Sequence, residues 1–219
     1  METGHGGTRI ICFGDSITEA GEFPHEQRWP TILQRLLDAR WPGGFEVHNR
    51  GVSNNTSAQA FDRFAADVLP LLPGVMLIEF GFNDANVPDW ARVPRVAVDE
   101  FRKNLREFQR IALNSGGQCV FVINHSIGEV TGRQGNGENY RDNVAPYNIA
   151  IRDLAVTLNT PYIDLPAAMA ARSVDVNDFV AEDKLHLSQH GNQLYAELIL
   201  EGLQATILSP GNTHASSGA

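Results

Sequence analysis

The chain has 219 residues, 42% of them hydrophobic, and its 17 Lys and Arg against 26 Asp and Glu give a formal charge of −9. A chain of this length fits one core, because single cores stop growing only near ~250–300 residues. The charge comes from scattered Asp and Glu without acidic or basic blocks, which argues against nucleic acid or an anionic membrane surface as partner and is explained by solubility.

Residues 1–9 have neither a basic start nor an apolar stretch of signal-peptide length, and no apolar run is long enough to cross a bilayer. The chain is therefore expected to be soluble and cytoplasmic. Residues 1–8 and 209–219 lack a packable pattern and are expected to be disordered, leaving residues 9–208 as a single domain.

In chain order, the run Ile10-Ile11-Cys12-Phe13 closing on Gly14 predicts a buried strand over 9–14. Pro30 suits a first helical position and opens a helix over 30–40, with Ile32, Leu33, Leu36 and Leu37 on one face. A strand over 45–49 and a helix over 57–72 follow, then a strongly apolar strand over 75–80. The helix over 95–114 carries Val98, Phe101, Leu105, Phe108, Ile111 and Ala112 at helical spacing. After a strand over 120–123 comes a polar, glycine-rich loop over 126–143, longer than the ~2–6 residues usual for such connections. A helix over 144–158, a strand over 162–165 and a closing helix over 192–208 complete the chain. There is no internal repeat. Apolar strands alternating with helices predict an α/β fold, a parallel sheet covered on both faces.

In such sheets ligands collect at the carboxyl ends of the strands. Four segments there carry chemistry. Gly14-Asp15-Ser16-Ile17-Thr18 follows the first strand, and Arg50-Gly51-Val52-Ser53-Asn54-Asn55-Thr56 the second. Gly81-Phe82-Asn83-Asp84 follows the third, and Asp183-Lys184-Leu185-His186 precedes the last helix. Gly-Asp-Ser by itself is an ordinary turn tripeptide. The four segments in this order resemble the blocks of the SGNH (GDSL) hydrolase family, from Gly14 to the last helix. The resemblance implies a three-layer α/β/α sandwich with a flavodoxin-like, five-stranded parallel sheet. It also implies Ser16 as nucleophile, His186 as general base and Asp183 as the residue that orients that base. The implied oxyanion hole combines the backbone N–H groups of Ser16 and Gly51 with the side chain of Asn83.

The residue types suit that chemistry on their own terms. A serine hydroxyl is a weak nucleophile that needs a base within ~2.6–3.2 Å, and histidine is the base that titrates near neutrality. Asp183, three residues before His186, can reach the other ring nitrogen and fix the tautomer. Glycine at 51 lets the backbone approach closely, and the Asn83 amide offers two N–H donors. The Gly-x-Ser-x-Gly elbow of the α/β-hydrolases is absent, as are a phosphate-binding P-loop and any metal-like spacing of His or Cys. No metal and no cofactor are expected.

Other polar and aromatic residues near the strand ends read more plainly. Asp15 and Asp84 are expected to hold their loops, and His190 to lie on the surface. His125 could touch substrate or pack in its loop, and ordinary packing is the preferred reading for Trp29 and Trp90. In the implied fold Cys12 and Cys119 lie on the first and fourth strands with the third between them. Two strand spacings, ~9–10 Å, exceed the ~7 Å reach of a disulfide, so both read as buried free thiols.

The resemblance implies ester or thioester hydrolysis through an acyl-enzyme, and a small-molecule ester as partner. No long apolar lid lies between Ser16 and Pro30 or over 84–94, which favours short, acetyl-type acyl groups. Asn, Arg and aromatic residues near the strand ends suit a sugar or aryl alcohol. Alternatives on the same triad are an acyl-CoA thioesterase, a lysophospholipase or an acyltransferase. A non-catalytic binding module on this fold is disfavoured because every triad and oxyanion position is filled. Homo-oligomerisation stays open.

Overall fold

The computed structural model of the protein describes residues 7–208. Its spine is a sheet of five strands, every pair parallel, in the order β2-β1-β3-β4-β5. The strands are β1 (Thr8–Gly14), β2 (Phe45–Gly51), β3 (Val75–Glu79), β4 (Gln118–Ile123) and β5 (Tyr162–Asp164). The central strands read as unbroken apolar runs because both faces are covered. Helices α2 (Trp29–Arg40) and α9 (Gln189–Thr206) pack together over one face. Helices α3 (Ser57–Asp67), α5 (Val98–Asn114) and α6 (Tyr140–Leu158) cover the other. This is the expected three-layer sandwich.

A phenylalanine cluster anchors the layer beneath the strand ends. The fully buried ring of Phe13 meets Phe64, Phe80 and Phe108 edge-on at 5.5, 5.3 and 5.3 Å. Burying one such ring stabilises the fold by roughly 1.5–3 kcal/mol. Register sets Gly14 beside Gly51 on one side and Glu79 on the other, so the three strands end level. The loops that leave those ends therefore share one rim.

Several boundaries differ from the sequence expectation, each for a local reason. β1 begins at Thr8, whose N–H donates to Gly44 O at 2.8 Å, so Thr8 does not belong to a disordered tail. The rest of that expectation, residues 1–6 and 209–219, lies outside the described residues. The helix expected to reach 72 stops at Asp67 and gives way to a 3-10 turn at Leu69–Leu71, because Pro70 cannot extend an α-helix. α6 starts four residues early, at Tyr140, where the Asn139 side chain accepts from the Asp142 N–H at 2.9 Å. α9 likewise starts at Gln189, capped by Ser188, whose hydroxyl accepts from the Gly191 N–H at 2.8 Å. Four short helices had no periodic signal: α1 (Ser16–Glu19), α4 (Phe82–Ala85), α7 (Leu165–Ala171) and α8 (Val176–Phe179). Cys12 and Cys119 are free and buried on β1 and β4, with β3 between them.

Candidate active site

Ser16 sits where β1 turns into α1 with no intervening loop. That turn needs a glycine before it: a Cβ on Gly14 would lie 2.1 Å from Thr18 Oγ1 and 2.7 Å from Glu79 O. Asp15, fully buried, caps α1 by accepting from the Ile17 N–H at 3.0 Å. As the first residue of a one-turn helix, Ser16 keeps its own N–H free of an intrahelical partner.

The partner of Ser16 arrives from the far end of the chain. An antiparallel bridge between Val180 and Leu187 closes a tight loop, in which Ala181 N–H donates to His186 O at 2.7 Å. Inside it, Asp183 Oδ1 accepts from the N–H groups of Leu185 and His186, both at 2.9 Å. Asp183 Oδ2 lies 2.6 Å from His186 Nδ1, and His186 Nε2 lies 2.9 Å from Ser16 Oγ. A carboxylate facing Nδ1 requires the proton there, which leaves Nε2 as a bare acceptor toward the serine. Burial works against the charge on Asp183. The hydrogen bonds from the His186 ring and the two backbone N–H groups outweigh it and hold the carboxyl below its ordinary value. All three sequence-predicted triad residues thus meet in one line.

Asn83 stands across from them on α4. Gly81 before it adopts φ +133°, and a Cβ there would meet Asn124 Nδ2 at 2.6 Å. The Asn83 amide is held at both ends: Nδ2 donates to Asp15 Oδ2 at 3.1 Å, and Oδ1 accepts from Arg95 Nη1 at 3.3 Å. Beside it, buried Asp84 accepts from the Ser57 N–H at 3.0 Å and the Ser57 hydroxyl at 2.5 Å, tying the start of α3 to this loop. Burial pushes Asp84 up to about 6. Burial also pushes up Asp15, to about 7, and Glu79, which receives the Thr18 hydroxyl at 2.9 Å.

Gly51 does not offer a free donor. Its N–H is already donated to Asn49 Oδ1 at 2.9 Å, and what its lack of a side chain permits is contact with α1. A Cβ on Gly51 would lie 2.1 Å from Glu19 N. In the loop that follows, Val52 N–H donates to Gly14 O, Ser53 N–H to Glu19 Oε2, Asn55 N–H to Val52 O and Thr56 N–H to Gln59 Oε1. The Asn54 N–H has no partner among the described residues. Asn54 adopts φ +64°, in the left-handed region that Asn tolerates. Sequence reasoning missed Asn54 and Arg95; an Asn-Asn pair in a turn is the one local hint of a left-handed residue.

The remaining residues fall into place around this rim. His125 is buried and packed, with Nε2 2.9 Å from Leu185 O; burial lowers its pKa to about 4 and keeps it neutral under the Asp183 loop. Trp29 is buried, donates Nε1–H to Ile17 O at 2.8 Å and lies 4.8 Å from the Tyr195 ring. His190 is exposed, as expected. Trp90 is not packed: it is 87% exposed on the loop between α4 and α5, which corrects the packing expectation. Among the described residues no group of three or more His, Cys, Asp or Glu could hold a metal ion, and no helix is long and apolar enough to cross a membrane.

Comparison with known proteins bears on the family and the fold. The sequence profile of the GDSL-like Lipase/Acylhydrolase family matches residues 12–194. The uncharacterized lipoprotein YqeF of Bacillus subtilis (strain 168) is 27% identical over 182 residues, 74% of this chain and 72% of that one. An acetylxylan esterase of Geobacillus stearothermophilus is 24% identical over 209 residues, 89% of this chain and 93% of that one. Among solved structures, a lipase/acylhydrolase from Enterococcus faecalis superposes with a TM-score of 0.74 at 24% identity, covering 90% of this chain and 96% of that one.

Proposed function

The chain belongs to the GDSL-like lipase/acylhydrolase family and is a carboxylic ester hydrolase, and we propose that it cleaves short-chain, acetyl-type esters of sugars or aryl alcohols through an acyl-enzyme on Ser16. One observation carries this reading. Ser16 Oγ, His186 and Asp183 form a continuous relay, 2.9 Å from hydroxyl to Nε2 and 2.6 Å from Nδ1 to carboxylate. Residues 9–208 act as one catalytic domain in this reading.

Ser16 Oγ attacks the ester carbonyl carbon while His186 Nε2 takes its proton, and Asp183 stabilises the imidazolium that forms. In this reading the carbonyl oxygen becomes an oxyanion that accepts from the N–H of Ser16, the N–H of Asn54 and Nδ2 of Asn83. Asn54 here takes the role that the resemblance gave to Gly51. Collapse breaks the bond to the alcohol, which leaves with the proton from His186. Water then gives a proton to His186 and attacks the acyl-serine, and the second collapse returns the proton to Ser16 and releases the carboxylic acid. The acetyl preference rests on the short segments flanking the site and on the kinship with an acetylxylan esterase.

The test is a fluorophosphonate label followed by peptide mapping, together with hydrolysis of acetyl to octanoyl esters of p-nitrophenol and of acetylated sugars. One label on Ser16, loss of activity in Ser16→Ala and rates that fall as the acyl chain lengthens are expected. A label on another serine overturns the catalytic assignment, and rates that climb toward octanoyl overturn the acyl preference.

A further inference from the structure

The three groups assigned above to the oxyanion hole are separate in sequence: Ser16 opens α1, Asn83 lies on the one-turn helix α4 and Asn54 lies on the loop after β2. Asn83 Nδ2 and the Asn54 N–H must each point at one spot, and Asn54 holds the left-handed conformation, φ +64°, that Asn tolerates. One side chain touches both. Arg95 Nη1 donates to Asn83 Oδ1 at 3.3 Å and to Asn54 Oδ1 at 2.8 Å. Its Nη2 donates to Asn54 O at 3.0 Å and to Gln59 Oε1 at 3.1 Å, the same oxygen that accepts the Thr56 N–H in the capping box of α3.

We infer that Arg95 is a positioning residue for the ester-hydrolysing site, its guanidinium fork locking Asn54 and Asn83 into the orientation that receives the oxyanion. The inference rests on the reading of Ser16 as nucleophile and of these two residues as donors. The Asn83 amide has two orientations related by a flip. Arg95 has donors and no acceptor, so only Oδ1 can face it. Asp15 Oδ2, on the other side, accepts Nδ2. With both in place the flipped amide would set donor against donor at Arg95, so Nδ2 stays on the Ser16 side. The same fork holds Asn54 by its carbonyl and its own side chain, restraining on both sides of its Cα the residue whose N–H is the assigned donor. Arg95 is itself anchored: its N–H donates to Asn86 O at 3.0 Å, and Val96 N–H donates to Asp84 O at 3.1 Å, so the segment returns onto α4. The planar fork does what a point charge cannot, since four acceptors on three residues are engaged from one fixed plane.

Steady-state kinetics on Arg95→Met, Arg95→Lys, Asn83→Ala and the Arg95→Met/Asn83→Ala double variant test this, with phenylboronic acid as a tetrahedral-adduct probe. Misaligned donors cost about 10- to 100-fold, so Arg95→Met should lose that much in kcat with KM changed by less than about threefold. Its affinity for phenylboronic acid should fall in parallel. Arg95→Lys should recover only a small part of the loss, and Arg95→Met should cost far less when Asn83 is already Ala. Full activity in Arg95→Lys would assign the effect to charge alone and overturn the inference. A rise in KM with kcat preserved would make Arg95 a substrate-binding group, and full additivity with Asn83→Ala would separate it from the donors; either overturns it as well. If Arg95→Met melts far below the wild type, Arg95→Lys and its kcat-to-KM split decide the matter. An active Ser16→Ala, or an Asn83→Ala with wild-type kcat, brings down the underlying reading instead.

Discussion

Replacing Asp183 by Asn exchanges one carboxylate oxygen for an amide nitrogen and tests the relay at its least obvious point. In the wild type, Asp183 Oδ1 takes two backbone N–H groups and Oδ2 takes the His186 Nδ1 proton. The substituted side chain can keep both backbone bonds only by turning its NH2 toward Nδ1. The ring then carries its proton on Nε2, facing Ser16 Oγ, and cannot act as base. Such a tautomer error typically costs ~10⁴ in kcat, or about 5.5 kcal/mol. The alternative is to flip the amide, so that its oxygen receives the Nδ1 proton. That gives up two backbone hydrogen bonds at about 1 kcal/mol each and sets NH2 against two N–H donors, which leaves the productive form roughly 2–3 kcal/mol uphill. The loss in kcat is therefore bounded between about 10²- and about 10⁴-fold. Stability should change little, because the side chain is half exposed and the loop bonds survive in the favoured rotamer. Because Asp183 is held below its ordinary value, its stabilising contribution is present above the normal carboxylate range and lost as pH falls through the lowered value. Any melting difference between wild type and Asp183→Asn should accordingly vanish in acid. The assay is kcat and kcat/KM for an aryl acetate from about pH 5 to about pH 9, alongside thermal melts. A kcat within about fivefold of wild type, with an unchanged pH profile, would refute the assignment of Asp183 as the orienting residue.

Two further outcomes follow from the supporting residues. Burial raises Asp84 from 3.8 to about 6, so its contribution is full below the ordinary value and lost as pH rises through about 6. The unfolding free energy should move in favour of Asp84→Asn by on the order of 3 kcal/mol between about pH 4 and about pH 6, and no further above that; parallel curves would show that the carboxyl is not held neutral there. Gly51→Ala places a Cβ 2.1 Å from Glu19 N and 2.6 Å from the Thr18 carbonyl carbon, pushing on the helix that carries Ser16. It should cost roughly 1–3 kcal/mol in stability and lower kcat with it, and a wild-type melt would remove the steric role given to this glycine.

The sequence by itself determined what is local. Apolar runs such as Ile10-Ile11-Cys12-Phe13 specify buried strands because a parallel sheet covered on both faces leaves no polar side, and that pattern needs no knowledge of partners. Asp183 and His186 were legible together because three residues on one tight loop suffice to bring carboxylate to ring. Which N–H groups are free was not legible. Gly51 had the right residue type, but its donor is spent on Asn49, and the unpaired donor lies three residues on, at Asn54; only the completed hydrogen-bond pattern of the loop distinguishes them. Arg95 gave no signal at all, since a lone arginine after a proline acquires meaning only when Asn54, Gln59 and Asn83 converge on it. Trp90 reads as an apolar residue and is 87% exposed, because composition says how costly exposure is and not whether a neighbour exists to cover it. The central contact has the same origin. Ser16 and His186 stand 170 residues apart in the chain, and what sets them 2.9 Å apart is the level ending of β1 among its neighbours, together with the bridge that folds the Asp183 loop over that rim.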